Sequence, residues 1–524
     1  MFENATPSAL VRVLEERAGR VRPGVVASGE RPEWVPVSFA QQRLWFLHQL
    51  EGPTPTYNIP LALRLSGALD VAALRAALGD VVARHESLRT VFADSERGGG
   101  QVVLDATAPE LVLREVEREE LDAAVVDAAR YAFDLAGEIP LRTELLQVTT
   151  DEHVLIVVVH HIAADGGSLG PLARDLTRAY AARVEGEAPM WAELPVQYAD
   201  YALWQREVLG AEDDAESLVA EQLGYWHHQL DGLPEELSLP VDRPRPAVAS
   251  HRGARATFEV PGQLHTRLRE LARAQGCSMF MVVHAAVASL LSRFGAGEDV
   301  PIGSPIAGRT DESLADLVGL FVNTLVLRTD LSGDPTFAEL LGRVRDTDLA
   351  AYQHQDVPFE RLVEALNPAR SLARHPLFQT MLTYNTKEEP VDATVPGLRV
   401  GGMEFETTTA RVDLAFSFMD LATEGPERAL RGSVEYATDL FDAQTVDHLL
   451  SGLMRLLEQV TAKPAARLLS LDVVPADVAD RVVRVWNETD VVVPSGSLVE
   501  WFEARVGERA DALAVVCGEE RVAY

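Results

Sequence analysis

The stretch that most constrains the fold is Val154-Leu-Ile-Val-Val-Val159, an unbroken apolar run that gives way at once to His160-His161-Ile-Ala-Ala-Asp165-Gly166-Gly167-Ser168. Apolar residues at every position, rather than at alternate ones, predict a strand covered on both faces. Polar chemistry is therefore expected where the strand gives out. Adjacent side chains on a strand point to opposite faces, so His160 and His161 share one cavity only if the strand has already broken. One of them is expected to be structural. A satisfied core histidine is the bland alternative for either, and the Asp-Gly-Gly that follows the pair weakens it. The two cysteines, Cys277 and Cys517, stand near no other cysteine and no His-x-x-x-His, so no metal site is expected.

The charge balance narrows the partners. Lys plus Arg total 47 against 80 for Asp plus Glu, a net charge of −33. Such a surface repels polyphosphate and anionic lipid, so neither nucleic acid nor membrane is an expected partner. Two distant cysteines offer no disulfide framework, which suits a reducing compartment. The opening Met-Phe-Glu-Asn lacks the basic and apolar regions of a signal peptide. The apolar stretch from Phe280 to Phe294 is interrupted by His284, Ser289 and Ser292, and it is expected to fall short of a membrane span. A soluble, cytoplasmic protein is expected.

At 524 residues the chain exceeds one ordinary core, and about 150 residues per unit predicts three or four. A short amphipathic helix in 1–20 leads into a Gly/Pro-bearing linker at 21–36. Ser38 and Gln41 have capping-box spacing ahead of a helix. A strand from Tyr57 to Leu65 follows, and Asp70 caps a second helix. Strands and helices then alternate to the His-His stretch, and Leu169, Leu172, Leu176 and Tyr180 mark the helix after it. A comparable alternation restarts near 213. Helices are expected at 262–274, 278–294, 335–352 and 442–461, a loop-rich segment at 299–310, and strands at 320–330, 378–385, 398–406, 411–420 and 428–437. Two lobes of mixed α/β (α+β) type are the economical reading. Residues 479–524 read as a linker and the start of a further domain.

Seven motifs in order identify a family: Ser38-Phe-Ala-Gln-Gln-Arg43-Leu-Trp-Phe-Leu, Arg84-His-Glu-Ser-Leu-Arg89-Thr, His160-His161-Ile-Ala-Ala-Asp165-Gly166, Tyr198-Ala-Asp-Tyr-Ala-Leu-Trp204, Val318-Gly-Leu-Phe-Val-Asn323-Thr, His354-Gln-Asp-Val-Pro-Phe-Glu360 and Arg374-His-Pro-Leu-Phe378. With these the chain resembles a condensation domain of a nonribosomal peptide synthetase over roughly 36–478. The resemblance implies two chloramphenicol-acetyltransferase-like lobes set in a V with a tunnel between them, an N-terminal lobe at 37–212 and a C-terminal lobe at 213–478. The flanks are similar to the last helix of a preceding carrier domain (1–20) and the opening of an adenylation domain (479–524).

The implied reaction is amide formation between an upstream carrier-bound acyl or peptidyl thioester and the amine of a downstream carrier-bound aminoacyl group. The implied partners are those two peptidyl carrier domains and the adjacent adenylation domain. No cofactor is expected in the domain itself; the substrates arrive on phosphopantetheine arms. A general base contributes about 10²- to 10⁴-fold, whereas aligning two tethered reactants supplies about 7–11 kcal/mol, so positioning is expected to dominate. By resemblance His161 contacts the nucleophilic nitrogen and the backbone N–H of Gly166 approaches the thioester oxygen. His160 and Asp165 are supporting residues, with Arg309 as the partner of Asp165. Arg43 and Asn323 are candidates for the substrate tunnel. An epimerization domain shares the histidine motif but lacks the later segments seen here. A coenzyme A acyltransferase shares it too, yet the Asp-Phe-Gly-Trp-Gly of that family is missing. A heterocyclization domain replaces both histidines with aspartate and is excluded by His160 and His161. A non-catalytic module that only gathers carriers is the competing reading from another class.

Overall fold

The apolar run 154–159 forms the middle of a sheet, as its pattern requires. The computed structural model describes residues 23–369, 371–387, 394–395, 397–403, 409–421, 430–493 and 495–524. The helix expected within 1–20 lies outside them. In chain order the described strands are β1 (Val35–Pro36), β2 (Asn58–Gly67), β3 (Thr90–Ser95), β4 (Gly98–Val103), β5 (Leu111–Glu115), β6 (Leu141–Gln147) and β7 (Glu152–His160). They continue with β8 (Gly253–Val260), β9 (Asp299–Ile306), β10 (Asn323–Asp330), β11 (Thr380–Lys387), β12 (Thr394–Val395), β13 (Leu398–Gly402), β14 (Leu414–Leu421), β15 (Leu430–Ala437), β16 (Leu513–Cys517) and β17 (Glu520–Ala523).

The first lobe is built on a six-stranded sheet in the order β12-β13-β2-β7-β6-β5. β7 pairs antiparallel with β2 on one side and β6 on the other, and residues 154–159 are at most 2% exposed. Helices Val71–Arg84 and Leu169–Val184 pack against each other over the first-lobe core. Asp70 Oδ1 accepts from the backbone N–H groups of Ala72 and Ala73, and Ser38 and Gln41 complete a capping box on helix Phe39–Glu51. Each satisfies donors that a helix start leaves bare.

The second lobe has a sheet in the order β10-β9-β11-β14-β15-β8, covered by helices Gly262–Ala274, Met279–Leu291, Phe337–Gln353 and Ala443–Ala462. Met279–Ala296 is in fact long and apolar enough to meet the length-and-composition test for a membrane span, at mean hydropathy 1.5 over 18 residues. Its apolar side chains are core: Val282 and Ala285 through Leu291 are buried inside this lobe.

Three features depart from the sequence reading. The segment 299–306, expected as loop, is β9. Its two prolines lack an N–H, but its second edge meets β11 at the single pair Gly303–Met381, where missing donors are tolerated. Helix Phe359–Leu366, only 8 residues, starts directly after Pro358 and has too few turns to announce a period. Most consequential, two segments cross back over the expected division at 212/213. β13 pairs with β2 through Leu398–Gly67 to Gly402–Leu63, in the first lobe's sheet. Leu314, Leu317, Val318, Leu320 and Phe321 likewise lie in the first lobe's core. Both are long-range pairings that no local pattern encodes.

Residues 474–524 form a separate compact unit, with helices Ala476–Val483 and Leu498–Arg509 and the hairpin β16–β17.

Candidate active site

β7 ends at His160, whose backbone N–H donates to Pro140 O at 2.9 Å, while that of His161 donates to Tyr57 O at 2.8 Å. From there the two rings part. His160 is buried, with Phe133 edge-on at 6.0 Å and Tyr57 at 6.4 Å, and its Nδ1 accepts from Ile162 N at 3.2 Å. Burial first, and the neighbouring His161 second, push its pKa down to about 3, so it is a neutral core histidine.

His161 turns to a cavity of about 490 Å³. Its Nδ1 lies 2.8 Å from Ala164 O, which can only accept, so Nδ1 carries the proton and Nε2 keeps a free lone pair. Burial first, then the charge of Arg411, lower its pKa to about 4. At neutral pH the ring is therefore a standing acceptor in a fixed orientation.

Asp165 holds the loop shape. Oδ1 accepts from Ser168 N at 3.0 Å and from Arg309 Nη2 at 3.2 Å, and Oδ2 accepts from the backbone N–H groups of Phe321 and Val322 at 2.8 and 3.1 Å. Arg309 also donates to Ser168 Oγ (3.0 Å), Leu317 O (2.9 Å) and Leu314 O, with its guanidinium 4.3 Å over the Phe321 ring. A buried carboxylate with this many donors is a structural clamp, joining the histidine loop to the crossing segment 309–322. The Asp165–Arg309 pair expected from the sequence is present.

Gly166 is exposed and does not line the cavity, and a Cβ built there would meet nothing within 4 Å. The tighter spot is Gly167, where a Cβ would stand 3.1 Å from Arg309 Nε. Arg43 and Asn323 both line the cavity. Arg43 reaches Glu360 at 3.6 Å, between helix Phe39–Glu51 and helix Phe359–Leu366. Asn323 is fully engaged: Nδ2 donates to Gln355 O and Val357 O, and Oδ1 accepts from Thr324 N and Phe359 N. Its amide ties β10 to the 355–359 turn rather than offering free groups.

Sequence reasoning assigned no role to His375 or Arg411, which share the cavity wall. His375 sits in a quoted motif; it stacks on Phe359 at 5.5 Å, its Nδ1 donates to Pro376 O at 2.9 Å, and burial followed by the charge of Arg43 brings its pKa to about 3. Arg411 stands outside every motif and gave no signal. Among the described residues no cluster of three or more His, Cys, Asp or Glu side chains could hold a metal ion. Chemically, the cavity offers a neutral imidazole acceptor, apolar walls from both lobes, and fixed cations.

The model of the Condensation domain family matches residues 32–482. A probable non-canonical nonribosomal peptide synthetase, CymA, of Salinispora arenicola is 53% identical over all 524 residues, which cover 7% of that protein. A dimodular nonribosomal peptide synthase of Bacillus subtilis is 51% identical over 498 residues, 94% of this chain and 21% of that protein. The chain thus spans about a fifth or less of these curated relatives. The X-domain from teicoplanin biosynthesis, in its crystal structure, is 39% identical with a TM-score of 0.81, covering 86% of this chain and 100% of that one.

Proposed function

The chain belongs to the condensation-domain family, and on that premise we propose that it joins an upstream carrier-bound acyl or peptidyl thioester to the amine of a downstream carrier-bound aminoacyl group. Its two lobes have the chloramphenicol-acetyltransferase-like build of that family. The observation that carries the reading is His161: an imidazole with Nδ1 fixed on Ala164 O and Nε2 unprotonated in a cavity walled by both lobes.

In this reading Nε2 accepts a hydrogen bond from the incoming amine, orients its lone pair toward the thioester carbon, and takes its proton as the C–N bond forms. Thioesters are already activated, so alignment of the two tethered reactants supplies most of the acceleration. Asp165, Arg309 and His160 hold the loop in place. Gly166, exposed at the end of the histidine loop, presents its backbone N–H to the thioester oxygen. Arg43 and Asn323 shape the tunnel wall. The partners are the two carrier domains and the adenylation domain that 479–524 opens, with lobes at 37–212 and 213–478. Free Cys277 and Cys517 suit the reducing cytosol.

The test is single-turnover product formation with both carriers loaded, read by mass spectrometry of the carrier-bound product. Wild type forms the amide, and His161→Ala lowers the rate by about 10²-fold or more. Absence of product from the wild-type domain would sink the reading in favour of a module that only gathers partners.

A further inference from the structure

Four arginines line the larger cavity: Arg43, Arg245, Arg374 and Arg411. Three have carboxylate partners. Arg43 pairs with Glu360, Arg245 with Asp413 and Glu236, and Arg374 with Glu235 and Glu236. Arg411 differs. Among the described residues no carboxylate lies within ion-pair distance of it; Nη2 donates to Thr56 O at 3.1 Å and the guanidinium stands 5.1 Å over the Tyr57 ring. A guanidinium has five N–H donors, and among the described residues this arrangement uses one of them.

Its position is also particular. A second cavity, of about 290 Å³, is walled by Pro55, Asn58, Val126 and Glu435 among others, and it shares Thr56, Met381, Arg411 and Val412 with the first. Arg411 therefore stands where the two spaces meet, and its charge adds to burial in lowering the pKa of His161. The charge of Glu435, on the wall of the second cavity, acts on it from beyond ion-pair distance. Exposed to these spaces and with no carboxylate at ion-pair distance among the described residues, the guanidinium has donors open to a ligand.

We propose that Arg411 is a catalytic residue that donates hydrogen bonds to the carbonyl oxygen of the donor thioester and holds the negative charge that develops there. This rests on the condensation reading above. The amine nitrogen attacks the thioester carbon, and the C=O electron pair moves onto the oxygen facing Arg411. His161 Nε2 takes the amine proton. Collapse restores the C=O, breaks the C–S bond and expels the thiolate, which receives that proton from His161; the products are an amide and a free thiol. The attacked carbonyl is the one place in this sequence where negative charge appears on substrate oxygen, which is where a fixed cation acts most strongly.

The proposal is tested with loaded carriers under single-turnover conditions. Arg411→Met is expected to lower the rate about 10²- to 10³-fold without changing melting temperature, and Arg411→Lys to regain tenfold or more of that loss. A carrier-tethered phosphonate, whose tetrahedral anion mimics the intermediate, is expected to bind Arg411→Met at least tenfold more weakly than wild type, while a neutral amide analogue binds both alike. Should methionine prevent folding, Arg411→Gln, which keeps a donor for Thr56 O without the charge, carries the same comparisons. A folded neutral variant within about threefold of the wild-type rate, or one that loses both analogues equally, overturns the assignment and leaves the condensation reading intact. Absence of product from wild type overturns both.

Discussion

His160 and His161 are neighbours in different settings, one ring in the core and the other on the cavity wall, and burial keeps both neutral. His160 is buried, with a folded pKa of about 3 against about 6.5 unfolded. Between those values the unfolded chain binds a proton that the folded one refuses, so stability present above pH 6.5 is lost as pH falls, by about 1.4 kcal/mol per pH unit. Denaturant unfolding at pH 7 and pH 5.5 should therefore show His160→Gln losing about 1 kcal/mol less than wild type on acidification; equal losses would show that His160 does not carry the sensitivity. For His161, already neutral above about pH 4, the single-turnover rate of the proposed reaction should show no break near 6.5 and should rise instead through the range of an α-amine, about 7.7–8.0. Asp165→Ala removes the acceptor of at least four donors from buried surroundings and should cost several kcal/mol in denaturant unfolding. A variant of wild-type stability but no activity would move Asp165 from clamp to chemistry. The split between the two histidines was legible from strand alternation alone. Arg411 was not, because a lone arginine at a strand entrance acquires meaning only from two cavities assembled by distant segments.

The elements that place the site are the end of β7 and the crossing segment 307–322. The crossing needs a sharp start: Gly308 has φ +65, and a Cβ there would stand 1.8 Å from Phe321 O. Gly308→Ala is thus both strained and blocked by backbone, and it should destabilise the fold by several kcal/mol with Arg309 displaced from Asp165. A melting temperature within a degree or two of wild type would contradict that account. Helices with capping residues and long apolar faces were legible, as Ser38 and Asp70 illustrate. β9 was hidden by Pro301 and Pro305, which read as loop unless the sparse pairing of one edge is known. Helix Phe359–Leu366 was hidden by brevity.

At the scale of the molecule, the alternation of strands and helices foretold two lobes but not how the chain is shared between them. β13 comes from the sequence of the second lobe and completes the sheet of the first; nothing in its five residues specifies a partner more than 300 positions earlier. Amide hydrogens of β13 should consequently exchange in step with those of β2 rather than with β14 or β15, which mass-spectrometric exchange can read. That strand is also a cover. Without it the Leu63–Gly67 half of β2 becomes a bare sheet edge with unpaired N–H and C=O groups, a template for the edge of another molecule. Damage to β13, as in Val400→Pro, should accordingly announce itself as precipitation and lost soluble yield before any effect on the proposed chemistry can be measured, so a screen for solubility would find the importance of this segment where a screen for activity would not.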